Sequence, residues 1–175
     1  KDESPGGKVA KEMRHLFMNR VTMNLKVNRE TLRTDTLDFM NPEKIPEGGD
    51  RKVVEVINAN TRILYSKSPF PPPFLPRSSV FLEIIVDYDL GDGKKATLIC
   101  GKLVTHHLMP YDPTKEVRMK EGLFANFFEE LEVGDKPLTR WTYLLAGSGA
   151  LPRLLKFVDF KEFNKYFDNS VEMWA

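Results

Sequence analysis

The residues of this chain that could carry covalent chemistry are few and poorly spaced for it. Two of the three histidines, His106 and His107, are adjacent. Neighbours in a strand point to opposite faces, so the pair cannot grip one metal ion without irregular backbone. No paired-Cys or His-x-x-x-His spacing accompanies them, and they read as two polar residues where a strand meets a loop. Cys100 is the only cysteine and sits among Thr97, Leu98 and Ile99. A nucleophilic thiol needs a base and an electropositive, partly open setting, so Cys100 reads as a small buried hydrophobe. Ser148, in Ala146-Gly147-Ser148-Gly149, lacks the Gly-x-Ser-x-Gly frame of a nucleophile elbow. Gly147-x-Gly149 is too short for a phosphate loop and precedes Ala-Leu-Pro. No catalytic residue, metal ligand or cofactor is expected.

What the spacing does offer is apolar surface. Val80, Leu82, Ile84 and Val86 alternate onto one face of a strand, and Phe81, Glu83, Ile85 and Asp87 onto the other. Trp141, Tyr143 and Leu145 share a face by the same period. Beyond Ala150, Leu151, Leu154, Leu155, Val158, Phe163 and Phe167 recur at helical spacing, with Arg153, Lys156, Lys161 and Lys165 giving the other side a basic character. Such a sheet and helix either interlock as a solid core or leave an apolar hollow for a ligand. Periodicity does not separate the two. Phe124, Phe127, Phe128, Trp141, Phe157, Phe160 and Phe163 are numerous enough to plug a hollow.

The elements that must position these residues follow from the punctuation. Lys8 to Arg20 reads as helical and Val21 to Val27 alternates weakly. Asn28 to Met40 reads as a short helix with Asn28 as N-cap and Glu30 in the first turn; Pro42 and Pro46 end it. Lys52–Ile57 and Thr61–Lys67 read as strands joined by Asn58-Ala59-Asn60. Five prolines in the eight positions from Pro69 to Pro76 forbid helix and interior strand, while Phe70, Phe74 and Leu75 suggest a connection pinned across an apolar surface. Ser79–Tyr88 and Ala96–His106 read as a hairpin about the turn Asp89–Gly93. Glu116–Glu129 is extended, with Gly122 as a bulge or bend, and Leu138–Leu145 is the last strand. Ala150 to about Phe167 is an amphipathic helix, with Ser148 or Gly149 near its cap and Pro152 in its first turn. The order predicts an α+β fold, a curved antiparallel sheet over residues 50–146 with a long C-terminal helix over 150–168 laid across its concave face.

The chain has 175 residues, 26 basic and 25 acidic, for a net charge of +1. That length predicts one domain over residues 1–175, and the aromatic content excludes a wholly disordered chain. The balance gives no bulk attraction to nucleic acid. A single cysteine cannot form an internal disulfide, which predicts a reducing, cytoplasmic setting. No stretch approaches 18 consecutive apolar residues. The chain begins with Lys1 rather than Met, so upstream residues, including any targeting segment, are expected to lie outside it.

Three stretches together resemble the START domain, the steroidogenic-acute-regulatory-related lipid-transfer domain of the helix-grip superfamily. Ile63-Leu64-Tyr65-Ser66-Lys67-Ser68-Pro69, running to Pro76-Arg77-Ser78-Ser79-Val80, resembles that family's strand, proline-bearing crossover and Arg-Asp-Phe-Val strand. His106-His107-Leu108-Met109-Pro110 followed by Val117-Arg118 resembles its His-Pro-x-x-Pro and Val-Arg-Ala. Gly149-Ala150-Leu151-Pro152 resembles its Asp-x-Gly-Gly-x-x-Pro. The chain departs from the pattern at Ser78, His107, Ala146 and Ser148.

The resemblance covers about residues 50–168. It implies a helix-grip fold, a sheet gripping the last helix over a lipid tunnel, with the Asp89–Lys95 turn matching an omega loop that gates it. It further implies a non-enzymatic monomer that binds one lipid and touches membranes transiently, with Arg153, Lys156, Lys161 and Lys94-Lys95 able to steer it toward anionic headgroups. Alternation and resemblance together give Leu82, Ile84, Trp141, Tyr143, Leu155 and Val158 as expected lining. Two rivals share the fold. One is an interaction domain with a filled interior. The other is a helix-grip enzyme, which needs a polar cluster such as His107 with Glu83 and Tyr143.

Overall fold

The computed structural model describes residues 17–70, 72–120, 122–131 and 137–147. They form β1 (Phe17–Leu25), α1 (Arg29–Leu37), a short 3-10 turn (Pro42–Lys44), β2 (Asp50–Asn58), β3 (Thr61–Ser68), β4 (Arg77–Gly91), β5 (Lys94–Leu103), β6 (Val117–Arg118), β7 (Gly122–Leu131) and β8 (Leu138–Gly147). The strands make one curved sheet in the order β1-β8-β7-β5-β4-β3-β2, antiparallel along that path. β6 pairs parallel with Arg77 and Ser78 of β4, the stretch that β5 leaves vacant because its own pairing with β4 stops at Phe81. The expected C-terminal helix, with Leu155 and Val158, lies outside the described residues, as do residues 8–16 of the expected N-terminal helix.

Residues 17–20 are a correction: they are strand. Phe17 pairs with Gly147 and the ladder continues unbroken to Leu25 opposite Thr139. The free backbone of β8 supplies a partner that local pattern does not announce, and pairing overrides propensity. The helix after it forms as its sequence dictates. The Asn28 side chain accepts from the Thr31 N–H at 2.7 Å, satisfying one of the first-turn donors, and Glu30 lies in the first turn. α1 stops at Leu37, three residues earlier than expected. There the Asp38 N–H bonds the Thr34 carbonyl, and Asn41 caps the turn that begins with Pro42.

Two turns show why hairpin positions are readable. At Asn58-Ala59-Asn60 the Asn58 side chain accepts from the Asn60 N–H at 2.8 Å, a local turn that needs no tertiary help. Between β4 and β5, Asp92 and Gly93 have φ of +53° and +76°, the sign that a two-residue type I′ turn demands. The register shifts between Asp89 and Gly91, where Gly91 has φ of +82°. The segment expected to form an omega loop is thus a tight hairpin with one bulge. Gly122 is likewise not a bulge. It opens β7 in regular register with Gly147, and the break in Glu116–Glu129 comes earlier, after β6.

The two sheet faces carry separate cores. On one, Leu32 of α1 packs among Leu25, Ile85, Ile99 and Phe128, with Trp141 and Met23 at the margin. On the other, Ile63, Tyr65 and Val80 pack under Val104 and Met109, so the 104–119 connection crosses the face opposite α1. A closed polar set anchors that connection. The Tyr65 hydroxyl donates to Glu116 Oε2 at 3.0 Å, and Arg118 donates to Glu116 Oε1 at 2.6 Å and to Ser78 Oγ at 2.8 Å. Burial, then the Glu116 hydrogen bond and charge, push the Tyr65 phenol up to about 12.

α1 is tied to its face by Arg29, whose side chain is 9% exposed. Its guanidinium donates to Glu130 of β7 at 3.1 Å, to Asp87 of β4 at 3.4 Å and to Thr97 of β5. Arg33, one turn on, adds Asp87 at 3.3 Å. Burial alone would raise the Asp87 carboxyl; hydrogen bonds from Thr97 and Arg33 and the two arginine charges outweigh it and hold it below the ordinary range.

Two outcomes follow from these anchors. Arg29→Met removes several charge-assisted bonds at once and should lower stability by about 2 kcal/mol, read as a lowered urea midpoint; an unchanged midpoint would show that the Arg29 bonds do not hold α1. Tyr65 keeps its proton in the folded state to about pH 12, whereas the unfolded chain releases it at its ordinary 10.0. Stability should therefore fall as pH rises between those values, and Tyr65→Phe should remove that part of the alkaline slope in denaturation curves.

Candidate functional site

The α1-bearing face holds a hollow at the end of the sheet away from the β4–β5 hairpin. It measures about 230 Å³ and is lined by Phe39, Ser66, Ser79, Phe81, Gly101, Leu103, Met119, Gly122, Leu123, Phe124, Leu145 and Ala146. Its floor is the sheet itself: Phe81 pairs with Leu103, and Gly101 with Phe124, which pairs with Leu145. Among the described lining residues only Phe39 and Met119 lie outside the strands. Three rings run across it edge to face. Phe39 meets Phe81 at 5.7 Å between centroids, and Phe81 meets Phe124 at 5.2 Å, a geometry the ring quadrupoles favour. Phe39 is held from outside by Arg51, which lies over its ring at 5.0 Å and donates to its carbonyl at 3.1 Å.

Among the described residues the lining carries no charged side chain, and its polar side chains are the hydroxyls of Ser66 and Ser79. Charge stands just beside it. Glu83, the register partner of Gly101, is 3% exposed and accepts from Arg62 Nε at 2.6 Å. Burial pushes its carboxyl up, and Arg62 opposes that shift without cancelling it. Among the described residues no buried side-chain polar atom lacks a hydrogen-bond partner, and no three His, Cys, Asp or Glu side chains converge as a metal site.

The residues expected to line one interior fall on two faces. Trp141 and Tyr143 lie on the α1 side, but outside this hollow. Trp141 stacks on Phe128 at 6.4 Å and donates to Asn126 Oδ1 at 3.0 Å, and Tyr143 lies 6.1 Å from it, its phenol pushed up by burial. Leu82 and Ile84 are on the opposite face: Leu82 packs on the Ile63 cluster and Ile84 is 38% exposed. The reason is charge. Glu83 and Asp87 make their side of β4 look like the solvent side, yet both are neutralised by arginines from β3 and α1.

The trio named for an enzyme, His107 with Glu83 and Tyr143, is not assembled. Glu83 and Tyr143 lie on β4 and β8, three strand spacings apart in the sheet order, about 14 Å at the usual spacing. His107 is on the connection over the other face, its ring 4.6 Å from that of His106, which itself bonds Glu55 at 2.9 Å. Burial, then the Glu83 charge, raise the Cys100 thiol, the reverse of activation.

Of the residues that line this hollow, the sequence singled out Phe124 as a plug and Leu145 in a row with Trp141 and Tyr143. Phe39, Leu103, Met119 and Gly101 went unnoticed. The available signal was Gly101, a lone glycine inside a strand, which marks close approach by another group.

A carboxyl with a raised value binds its proton more tightly folded than unfolded. Stability should accordingly drop as pH rises from the ordinary 4.5 of Glu83 through its folded value. Glu83→Gln should lack that slope in urea midpoints measured across mildly acidic to neutral pH. An identical slope would place the titration elsewhere.

No family model matches the chain, and no curated protein matches it by sequence. Solved structures do match. Human STARD10 aligns over 97% of this chain and 77% of its own at 13% identity, with a TM-score of 0.61. The human StarD13 (DLC2) lipid transfer and protein localization domain aligns over 81% and 68% at 16% identity, TM-score 0.59. A STAR-related lipid transfer protein fragment from Xanthomonas axonopodis aligns over 77% and 72% at 17% identity, TM-score 0.56. The curved antiparallel sheet with its α1 helix is therefore the fold of the START domains.

Proposed function

We propose that this chain is a START domain that takes up a single lipid into the apolar hollow on its α1-bearing face and transfers or senses it, without covalent chemistry, as a monomer that touches membranes transiently in the cytoplasm. The observation that carries the reading is the described lining: chiefly aliphatic and aromatic side chains, with two serine hydroxyls as the only polar ones among the described residues. Such a wall gives a methylene chain what the bilayer gives it, about 0.8 kcal/mol per buried CH₂. The hydroxyls suit an uncharged polar group rather than a charged headgroup, whose desolvation they cannot offset. The β4–β5 hairpin, with Leu90 46% exposed beside Lys94 and Lys95, is the part of this reading that meets the membrane.

A second reading, an interaction domain with a filled interior, draws on one observation. At about 230 Å³ the hollow is below the roughly 300 Å³ at which ligand pockets usually begin, and three rings crowd it.

Protein purified from cells and examined by native mass spectrometry should carry a lipid-sized adduct, and should move labelled lipid from donor to acceptor vesicles. Leu103→Trp, which fills the hollow from its floor, should abolish both while leaving the thermal midpoint intact. A protein that never retains or moves any lipid sinks the transfer reading and leaves the filled domain.

A further inference from the structure

Among the described glycines, the one with least room for a side chain lies in the floor of this hollow. A Cβ built on Gly101 would stand 2.3 Å from Phe124 Cε1, 2.6 Å from its Cζ and 3.1 Å from its Cδ1. The ring therefore occupies the space that any other residue at 101 would fill, sunk against the backbone of β5. Register makes the two direct cross-strand partners, and the edge of Phe81 at 5.2 Å fixes the ring from the next strand. Both Gly101 and Phe124 line the hollow, so where the ring sinks against β5 the floor is lower by the space a side chain at 101 would take.

From this geometry we infer that Phe124, seated on Gly101, is the size stop of the pocket: the residue that decides how long an apolar ligand can be. The inference rests on the proposal that the hollow is a ligand site, and it makes two variants act in opposite directions. Removing the ring opens space below the present floor. Adding a methyl group at residue 101 lifts the ring off β5 into the space above. General damage to the core would weaken binding in both variants; a size stop lengthens the accepted chain in one and shortens it in the other.

The test uses straight-chain alcohols from hexanol to dodecanol, titrated calorimetrically into the whole chain. For the unaltered protein, affinity should rise about fourfold per added methylene, the equivalent of 0.8 kcal/mol, and then level off at a limiting length. Phe124→Ala and the milder Phe124→Leu should carry the fourfold gain to longer alcohols, and Gly101→Ala should end it at shorter ones. Circular dichroism confirms that each variant is folded, and Phe124→Leu serves if the alanine variant is not. The same limiting length in all folded proteins would overturn the inference while leaving the ligand site standing. No binding of any alcohol, by the unaltered protein or by the Phe124 variants, would overturn the ligand site and the inference with it.

Discussion

The structure turns on the pairing of two carboxylates with arginines that come from other elements. A strand has two faces, and β4 offers hydrophobic side chains on both, so apolar alternation alone does not say which face receives α1. Glu83 would ordinarily send its side to water, because an unpaired buried carboxylate is costly, and Asp87, whose side chain stays half exposed, adds a second charge on that side. Arg62 of β3 and Arg29 of α1 reverse this. With Glu83 bonded to Arg62 at 2.6 Å and Asp87 held by Arg29, Arg33 and Thr97, the same face can hold Phe81 and Ile85 against the helix and the hollow. Removing Arg62 would strand the buried Glu83 carboxylate.

That choice of face propagates along the sheet. Once Phe81 and Glu83 point toward α1, register places Leu103, Gly101, Phe124 and Leu145 on the same side. The hollow is a consequence of which of these side chains are small. Ser66, Ser79 and Gly101 stand where bulk would close the floor, and Gly122, whose added Cβ would come within 2.9 Å of the Ala146 carbonyl oxygen, lets β7 begin close against β8. Phe39 is carried over the rim only because α1 is anchored at its other end and Arg51 holds the phenyl ring. The α1 anchor and the pocket wall thus belong to one mechanical unit, although Arg29 itself touches no part of the hollow.

The local events were legible from sequence because their causes are local. Asn28 caps α1 with its own side chain, Asn58 folds its own turn, and the β4–β5 pair closes over Asp92-Gly93. What failed to read has causes far along the chain. The inward face of β4 depends on arginines 21 and 58 residues away. β1 is strand because β8, more than a hundred residues later, needs a partner. Lining therefore could not be picked by alternation: Leu82 and Ile84 are the greasier row, yet they occupy the side that the 104–119 connection only partly covers. The expectation of an omega loop at Asp89–Lys95 came from resemblance, and the positive φ angles of Gly91, Asp92 and Gly93 show how three residues with access to that region tighten it into a hairpin.

A carrier that draws a lipid from a bilayer gains little from apolar contact as such, since each methylene leaves one hydrocarbon environment for another of similar free energy. Discrimination must then come from the terms that do not cancel: the fit of the chain to a wall of fixed depth, and the fate of the polar end. Under the proposed reading, and among the described residues, the second term falls to Ser66 and Ser79, because the nearby Glu83 is committed to Arg62 and Arg62 also donates to the Leu37 carbonyl. A charged headgroup would have to break that pair or remain outside, and breaking a buried pair costs several kcal/mol. If the hollow is the lipid site proposed above, the ion pair that decides which way the sheet faces also sets the polarity of what it accepts.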